Sequence, residues 1–167
     1  YKRQPLVTTG AGKVQRATLR RFPNPWSALL AFSGRSGAVD LSQSLPLETT
    51  SADAVSGACM LISLPNFEQL DGLDEAYAMH CEDLDLMYRA HQQGLSCLFV
   101  PTAKVVHLQG ESSRSRPMWV HWQKHRGMER FFNKFQREKY AWPLGILVRV
   151  GIWARFLVTL PFQWLHR

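Results

Sequence analysis

The sequence predicts an α/β chain that ends in a helical region. Short apolar runs bounded by glycine or proline, at 55–64 and 95–100, have the length and punctuation of buried strands. Between them, residues 82–93 set Leu84, Met87 and Tyr88 on one helical face and stop at Gly94. From residue 104 onward the chain turns basic, and residues 119–140 and 142–165 read as two further helices.

The elements follow in order. Residues 1–25 are polar, with Arg16, Arg20, Arg21, Pro23 and Pro25, and read as irregular chain around one short strand at 14–19. Residues 26–32 form a short apolar helix. Residues 33–53 are rich in Gly, Ser, Thr and Pro and form a loop. The run 55–64 is a buried strand in which Gly57 and Ala58 let a ligand or another backbone approach closely. A short helix or turn at 65–70 and a loop at 72–77 lead to the helix at 82–93. One strand at 95–100 is closed by Pro101, and another covers 104–108. Residues 109–118 are a polar loop carrying Arg114 and Arg116. The helix at 119–140 is basic, with Trp119, Trp122, Met128, Phe131, Phe132 and Phe135 as its apolar stripe.

The tail from 142 to 165 is apolar but contains Arg149 and Arg155. Each arginine near the middle of a spanning helix costs about 2.5–3.5 kcal/mol. Pro143, Gly145 and Pro161 are expected to interrupt the run. An amphipathic helix in the plane of a membrane surface is therefore expected, with Trp142, Trp153 and Trp164 at the headgroup boundary and the arginines toward anionic lipid.

With 167 residues and 46% hydrophobic composition, the chain belongs with globular domains rather than disordered segments. Its formal charge of +7 is uneven: residues 1–103 carry 8 basic and 10 acidic side chains, residues 104–167 carry 12 and 3. The division expected from this pattern is 1–118 and 119–167. Three cysteines, Cys59, Cys81 and Cys97, lie in or beside apolar runs without CxxC spacing, which points to reduced thiols and against a disulfide scaffold.

The densest chemistry is at His80-Cys81-Glu82-Asp83-Leu84-Asp85-Leu86, with three carboxylates in four positions. Like charges this close raise the pKa of at least one member unless a cation compensates. A carboxylate so held can take a proton from a hydroxyl nucleophile. The plain alternative is an acidic first helical turn, favourable against the helix dipole. His121 and His125 have the four-residue spacing of metal ligands, but no Glu follows His121, and Lys124 and Arg126 beside them repel a cation.

In sequence order, Val55-Ser56-Gly57-Ala58-Cys59-Met60-Leu61-Ile62, Phe67, Asp71-Gly72-Leu73-Asp74-Glu75, the acidic triplet, 94–101, Ala103-Lys104-Val105-Val106-His107 and Gly110-Glu111-Ser112-Ser113 resemble the C-terminal half of the family 2 glycosyltransferases. These are inverting enzymes of the GT-A type, and the likeness is to their rhamnosyltransferase-like branch, over about residues 13 to 135. Two departures stand out. Asp71 replaces the first glycine of the family's GGFDE, and Leu108 stands where a second histidine is common.

The resemblance implies the C-terminal half of a GT-A fold, with a mixed sheet and helices. It implies that the donor half, with the DxD motif and most of the ligands of a divalent metal (Mg2+ or Mn2+), is missing, so that this fragment alone is inactive. Asp83 takes the place of the catalytic base and Glu82 that of a group orienting the acceptor. Asp85 is expected to be structural, as a cap or in a salt bridge. Gly57, Ala58, Asp74 and Glu75 fall on the acceptor side. His107 falls where a histidine completes a metal shell or touches the diphosphate. Arg114 and Arg116 are expected to bind the phosphate of the donor or of a lipid-diphosphate acceptor, because guanidinium forks suit phosphate.

The implied activity is transfer of a sugar, rhamnose by the branch, from a nucleotide-sugar to a saccharide or lipid-linked saccharide. It would occur at the cytoplasmic face of the bacterial inner membrane, in surface polysaccharide synthesis. The alternative is a non-catalytic membrane-binding module. A nucleic-acid partner fits the basic tail but not the acidic triplet, and is not expected.

Overall fold

The computed structural model describes residues 2–32, 37, 39–108 and 115–165. The chain divides into two compact units, Tyr1–Asp74 with Asp83–Gln109, and Glu75–Glu82 with Gly110–Arg167.

The first unit is built on a three-stranded mixed sheet. Its central strand is Cys97–Val106, here β5, flanked by Lys2–Thr8 (β1) in parallel and Thr50–Ala52 (β3) in antiparallel. A separate two-residue pairing joins Leu19–Arg20 (β2) to Ala54–Val55 (β4). Three helices complete it: α1 (Pro25–Phe32), α2 (Leu64–Gln69) and α3 (Glu82–Gln92). Val7, Thr18, Ala54, Val55 and Phe99 are fully buried. Leu86 and Ala90 of α3 pack on Leu70, with Met60, Ile62, Phe67 and Leu95 around them. The α/β expectation thus holds, including the mixed sheet, and α3 ends where Gly94 takes a left-handed φ of 72°.

Three strand expectations need correction. The strand expected at 14–19 is only Leu19–Arg20, and the true N-terminal strand is β1, hidden in the sequence by Lys2, Arg3 and Gln4 and by Pro5. The strand expected over 55–64 ends at Val55. Beyond it the Gly57 N–H turns to a side-chain carboxylate instead of a neighbouring strand, and Leu61 is exposed. The two strands expected at 95–100 and 104–108 are one strand running through Pro101. Pro5 of β1 sits opposite Val100, and the next residue, Leu6, sits opposite Lys104, so residues 101–103 bulge. A bulge is where a residue without an N–H can be carried inside a sheet.

The second unit is a helical hairpin of α4 (Pro117–Phe135) and α5 (Trp142–Leu165), joined through a 3-10 turn at Arg137–Lys139. The long basic helix expected over 119–140 thus ends at Phe135. The expected interruptions of the tail are also absent: α5 is continuous. Pro143 falls in its first turn, where an N–H has no helical partner to lose.

Several polar groups of α5 bond to α4. Arg149 donates to Glu129 at 2.7 Å, and the Trp153 indole N–H donates to the other Glu129 oxygen at 3.0 Å. Thr159 Oγ1 lies 3.1 Å from His121 Nε2, and the Arg155 guanidinium reaches Met128. These polar groups reach α4, while the Arg149 side chain stays 54% exposed. Outward, Trp142, Ile146, Leu147, Val150, Leu157 and Val158 are each more than half exposed. By length and composition 142–161 is sufficient to cross a membrane, and only 6% of it is buried.

His125 is 1% exposed, its Nδ1–H donating to the His121 carbonyl at 2.8 Å. Burial pushes its pKa down to about 4, assisted by the nearby positive charges of His121, Arg155 and Lys124 and opposed by that hydrogen bond. The unfolded imidazole takes up its proton near pH 6.5 and the folded one does not until about 4. The stability this confers is therefore present above pH 6.5 and lost as pH falls toward 4. Thermal melts across that window should show a falling Tm, and His125→Phe should flatten the slope.

Gly127 is a second packing constraint. A Cβ there would stand 2.8 Å from the His80 carbonyl oxygen and 3.5 Å from Cys81. In an open helix Gly→Ala gains about 1 kcal/mol. Here overpacking costs about 1–3 kcal/mol, so Gly127→Ala should lower stability in urea denaturation. A gain would show that the segment at 80–81 yields freely.

Candidate active site

The acidic triplet enters its helix through strained backbone. His80 and Cys81 have φ values of 66° and 70°, a left-handed conformation rare outside glycine and common at functional sites. They deliver Glu82 and Asp83 to the first turn of α3, the end that favours negative charge.

Asp83 is 8% exposed and its carboxylate is held by three donors. Arg20, brought in by β2, donates one Nη2 to Asp83 Oδ2 and to the Val55 carbonyl, the latter at 2.7 Å. The Gly57 N–H also donates to Oδ2, at 2.9 Å. The Leu84 N–H donates to Oδ1 at 2.7 Å. An ionised carboxylate offers about four lone-pair sites. Among the described residues three are taken, which leaves one on Oδ1.

Gly57 lies against this carboxylate. A Cβ on it would sit 3.0 Å from Asp83 Cβ and 3.2 Å from Oδ2. The close approach that this glycine permits is that of Asp83 itself. Ala58, half-buried, follows it in the turn.

Asp85, fully buried, has a separate task. It accepts from Arg89 Nε at 2.5 Å, one helical turn on, and Arg89 also donates to the Leu70 carbonyl and, at 2.8 Å, to that of Gly72. The salt bridge expected of Asp85 is thus present, and it ties α3 to the turn at 70–72. In that turn Asp71 has φ 57° and Gly72 has φ 60°. Asp71, standing where the resemblance has glycine, keeps the left-handed backbone; aspartate is among the few residues that tolerate it. Asp74 is half-buried and Glu75 is exposed. Glu82, half-buried, opens α3.

His107 follows the end of β5. Its Nδ1 lies 3.0 Å from Oε1 of the buried Gln15. An amide oxygen only accepts, so Nδ1 carries the proton and Nε2 keeps its lone pair in the neutral ring. Among the described residues no three His, Cys, Asp or Glu side chains come together. Arg116 is exposed at the start of α4. Arg114, Ser112 and Ser113, the rest of the expected phosphate loop, lie outside the described residues. None of the three cysteines forms a disulfide.

Arg20 and Gln15, which hold Asp83 and His107, are contacts that sequence reasoning misses. Nothing in the local pattern separates Arg20 from Arg16 or Arg21, and its partner is 63 residues away.

Comparison with known proteins points the same way as the site. Over 63 residues the chain is 38% identical to the N-acetylglucosaminyl-diphospho-decaprenol L-rhamnosyltransferase of Mycobacterium tuberculosis, covering 38% of this chain and 20% of that protein. Over 98 residues it is 26% identical to the rhamnosyltransferase WbbL of Escherichia coli K12, covering 59% of this chain and 37% of that protein. The matched stretch is thus about a fifth to two-fifths of the length of these relatives. No protein-family model and no solved structure matches the chain. These partial likenesses support a glycosyltransferase family.

The network around Asp83 predicts strong coupling. Arg20→Met should destabilise the fold by about 3 kcal/mol, because it strands a buried carboxylate. Adding Asp83→Asn should recover at least about 1 kcal/mol of that loss in a double-mutant cycle followed by denaturation. Strict additivity would contradict the network.

Proposed function

We propose that this chain is the acceptor-side part of an inverting family 2 glycosyltransferase of the GT-A type. The whole protein would transfer a sugar, rhamnose by its relatives, from a nucleotide-sugar to a lipid-linked saccharide at the cytoplasmic membrane face, in bacterial surface polysaccharide synthesis. The observation that carries this reading is the Asp83 carboxylate: buried, triply anchored and open at one oxygen site.

In that role Asp83 Oδ1 takes the proton of the acceptor hydroxyl as that oxygen attacks the anomeric carbon. Arg20 and the Gly57 N–H fix Oδ2, so the carboxylate cannot rotate away. Glu82 orients the acceptor, and the turn holding Asp74, anchored through Asp85 and Arg89, shapes the acceptor side together with Ala58 and Glu75. His107 supplies Nε2 toward the leaving diphosphate or a metal whose other ligands lie outside the described residues. Arg116, with Arg114, serves the phosphates. The outward apolar face of α5 supports membrane contact, by burial of apolar area more than by its arginines.

A second reading, a membrane-binding module without transfer activity, is favoured by that same face. Transfer assays in membranes with a panel of nucleotide-sugars and a polyprenyl-diphosphate-sugar acceptor separate the two. A general base supplies about 10²–10⁴-fold, so Asp83→Asn in the full-length protein should lower kcat at least about a hundredfold. More than a tenth of the parent kcat remaining in the variant would reject Asp83 as base. No transfer by the parent, with vesicle binding intact, would favour the membrane module.

A further inference from the structure

Gln15 is a buried amide outside every strand and helix. It is 5% exposed, and its side chain ends at the half-buried His107. Burying a polar side chain is costly unless its hydrogen bonds are made, and an apolar side chain of similar size fills such a place without that cost.

The backbone around Gln15 is fixed at several points. The chain reverses at 9–13, where the Thr9 N–H donates to the Lys13 carbonyl at 2.8 Å, and Val14 then bridges Thr8 in antiparallel. The Gln15 N–H donates to the Val7 carbonyl at 2.9 Å. The hydroxyl of Thr18, fully buried, donates to the Gln15 carbonyl at 2.6 Å. Ala17 takes a left-handed φ of 64°, a costly conformation for a residue with a Cβ, and its N–H is held by Asp40 Oδ1 at 3.1 Å. His107 is clamped from two directions. Its backbone N–H donates to the Thr8 carbonyl at 2.9 Å, which extends the pairing of β1 with β5. Its ring Nδ1 meets Gln15 Oε1 at 3.0 Å. Both β1 and the returning segment therefore serve to set one imidazole.

We infer that Gln15 is a positioning residue that fixes His107 as an electron-pair donor at Nε2. The inference rests on the transferase reading above and narrows the task of His107 within it. The nitrogen that carries the proton in a histidine is set by the hydrogen bond the other makes. An amide oxygen accepts and cannot donate, so the neutral ring keeps its proton on Nδ1. Nε2 then offers a lone pair, which suits a cation. Facing a bare phosphate oxygen, it would set one lone pair against another. A histidine that only caps a strand end tolerates either tautomer; one whose Nε2 must donate electrons does not.

The tautomer is read on the full chain by nitrogen NMR, from the two ring-nitrogen shifts of His107 at about pH 8.5, above the ordinary imidazole range. The parent should carry its proton on Nδ1. Gln15→Met, which keeps the side-chain length and loses the acceptor, should show both tautomers. Gln15→Glu, an acceptor again, should restore the proton to Nδ1. In membrane transfer assays of the full-length protein, Gln15→Met should lower kcat about 10–100-fold and Gln15→Glu should stay within about threefold of the parent. Three results would overturn the inference: a parent ring protonated on Nε2, the same tautomer in the parent and Gln15→Met, or an unchanged kcat in a Gln15→Met protein whose tautomer has shifted. No transfer by the parent would reject the transferase reading instead, while the ring-nitrogen shifts still decide on Gln15. If Gln15→Met melts early, the parent and Gln15→Glu spectra make that decision.

Discussion

Three distant pieces of chain meet on one carboxylate. Arg20 comes from β2, the Gly57 N–H from the turn after β4, and Asp83 from the first turn of α3. The short β2–β4 pairing exists to bring two of them together, since the same Arg20 nitrogen that reaches Asp83 also reaches the Val55 carbonyl. Remove the carboxylate and the guanidinium faces a carbonyl alone, the Gly57 N–H loses its acceptor, and α3 keeps the Met87 sulfur, which accepts from the Val55 N–H, as a remaining bond to β4. A buried ion pair is weak evidence for net stability, but breaking one partner is severe, so the arrangement favours a single geometry over a merely stable one.

The acid triplet shows how arginines offset repulsion between neighbouring carboxylates. Asp83 and Asp85 lie two residues apart, on different sides of α3, and each has its own arginine: Arg20 from across the unit and Arg89 from the next helical turn. The two pairs differ in consequence. Asp85 is fully buried, and its partner Arg89 continues into the carbonyls of the 70–72 turn, an enclosed structural brace. Asp83 retains an unoccupied acceptor position. Two carboxylates of the same motif thereby take different roles because their surroundings differ, with one braced and one available.

Much of this was legible in the residues, and the failures share a cause. Helix α3 follows from periodicity and from Gly94, which are local signals, whereas 65–70 reads only as a short helix or turn. Asp85 as a structural acid could be read from its place in the triplet. The strands were legible only in part, because pairing partners lie far away in sequence: β1 is polar and contains a proline, yet forms by pairing along β5, and 55–64 looks like a strand until Gly57 is claimed by Asp83. Arg20 was invisible for the same reason, its meaning lying 63 residues off. Gly57 was recognised as a point of close approach, but only the structure shows that the approaching group is the candidate base.

The tail carries the sharpest physical lesson. Arginines inside an apolar run suggest a helix that turns its charge toward lipid headgroups. In α5 the charge turns toward α4, where Glu129 takes both Arg149 and the Trp153 indole. Satisfying those groups within the hairpin leaves large apolar side chains, among them Trp142, Leu147 and Leu157, as much of the exposed surface of α5. An arginine that is expensive in a membrane when bare is far less so when its hydrogen bonds are made inside the protein. Contiguous exposed apolar surface of this kind is characteristic of faces that meet lipid or another protein.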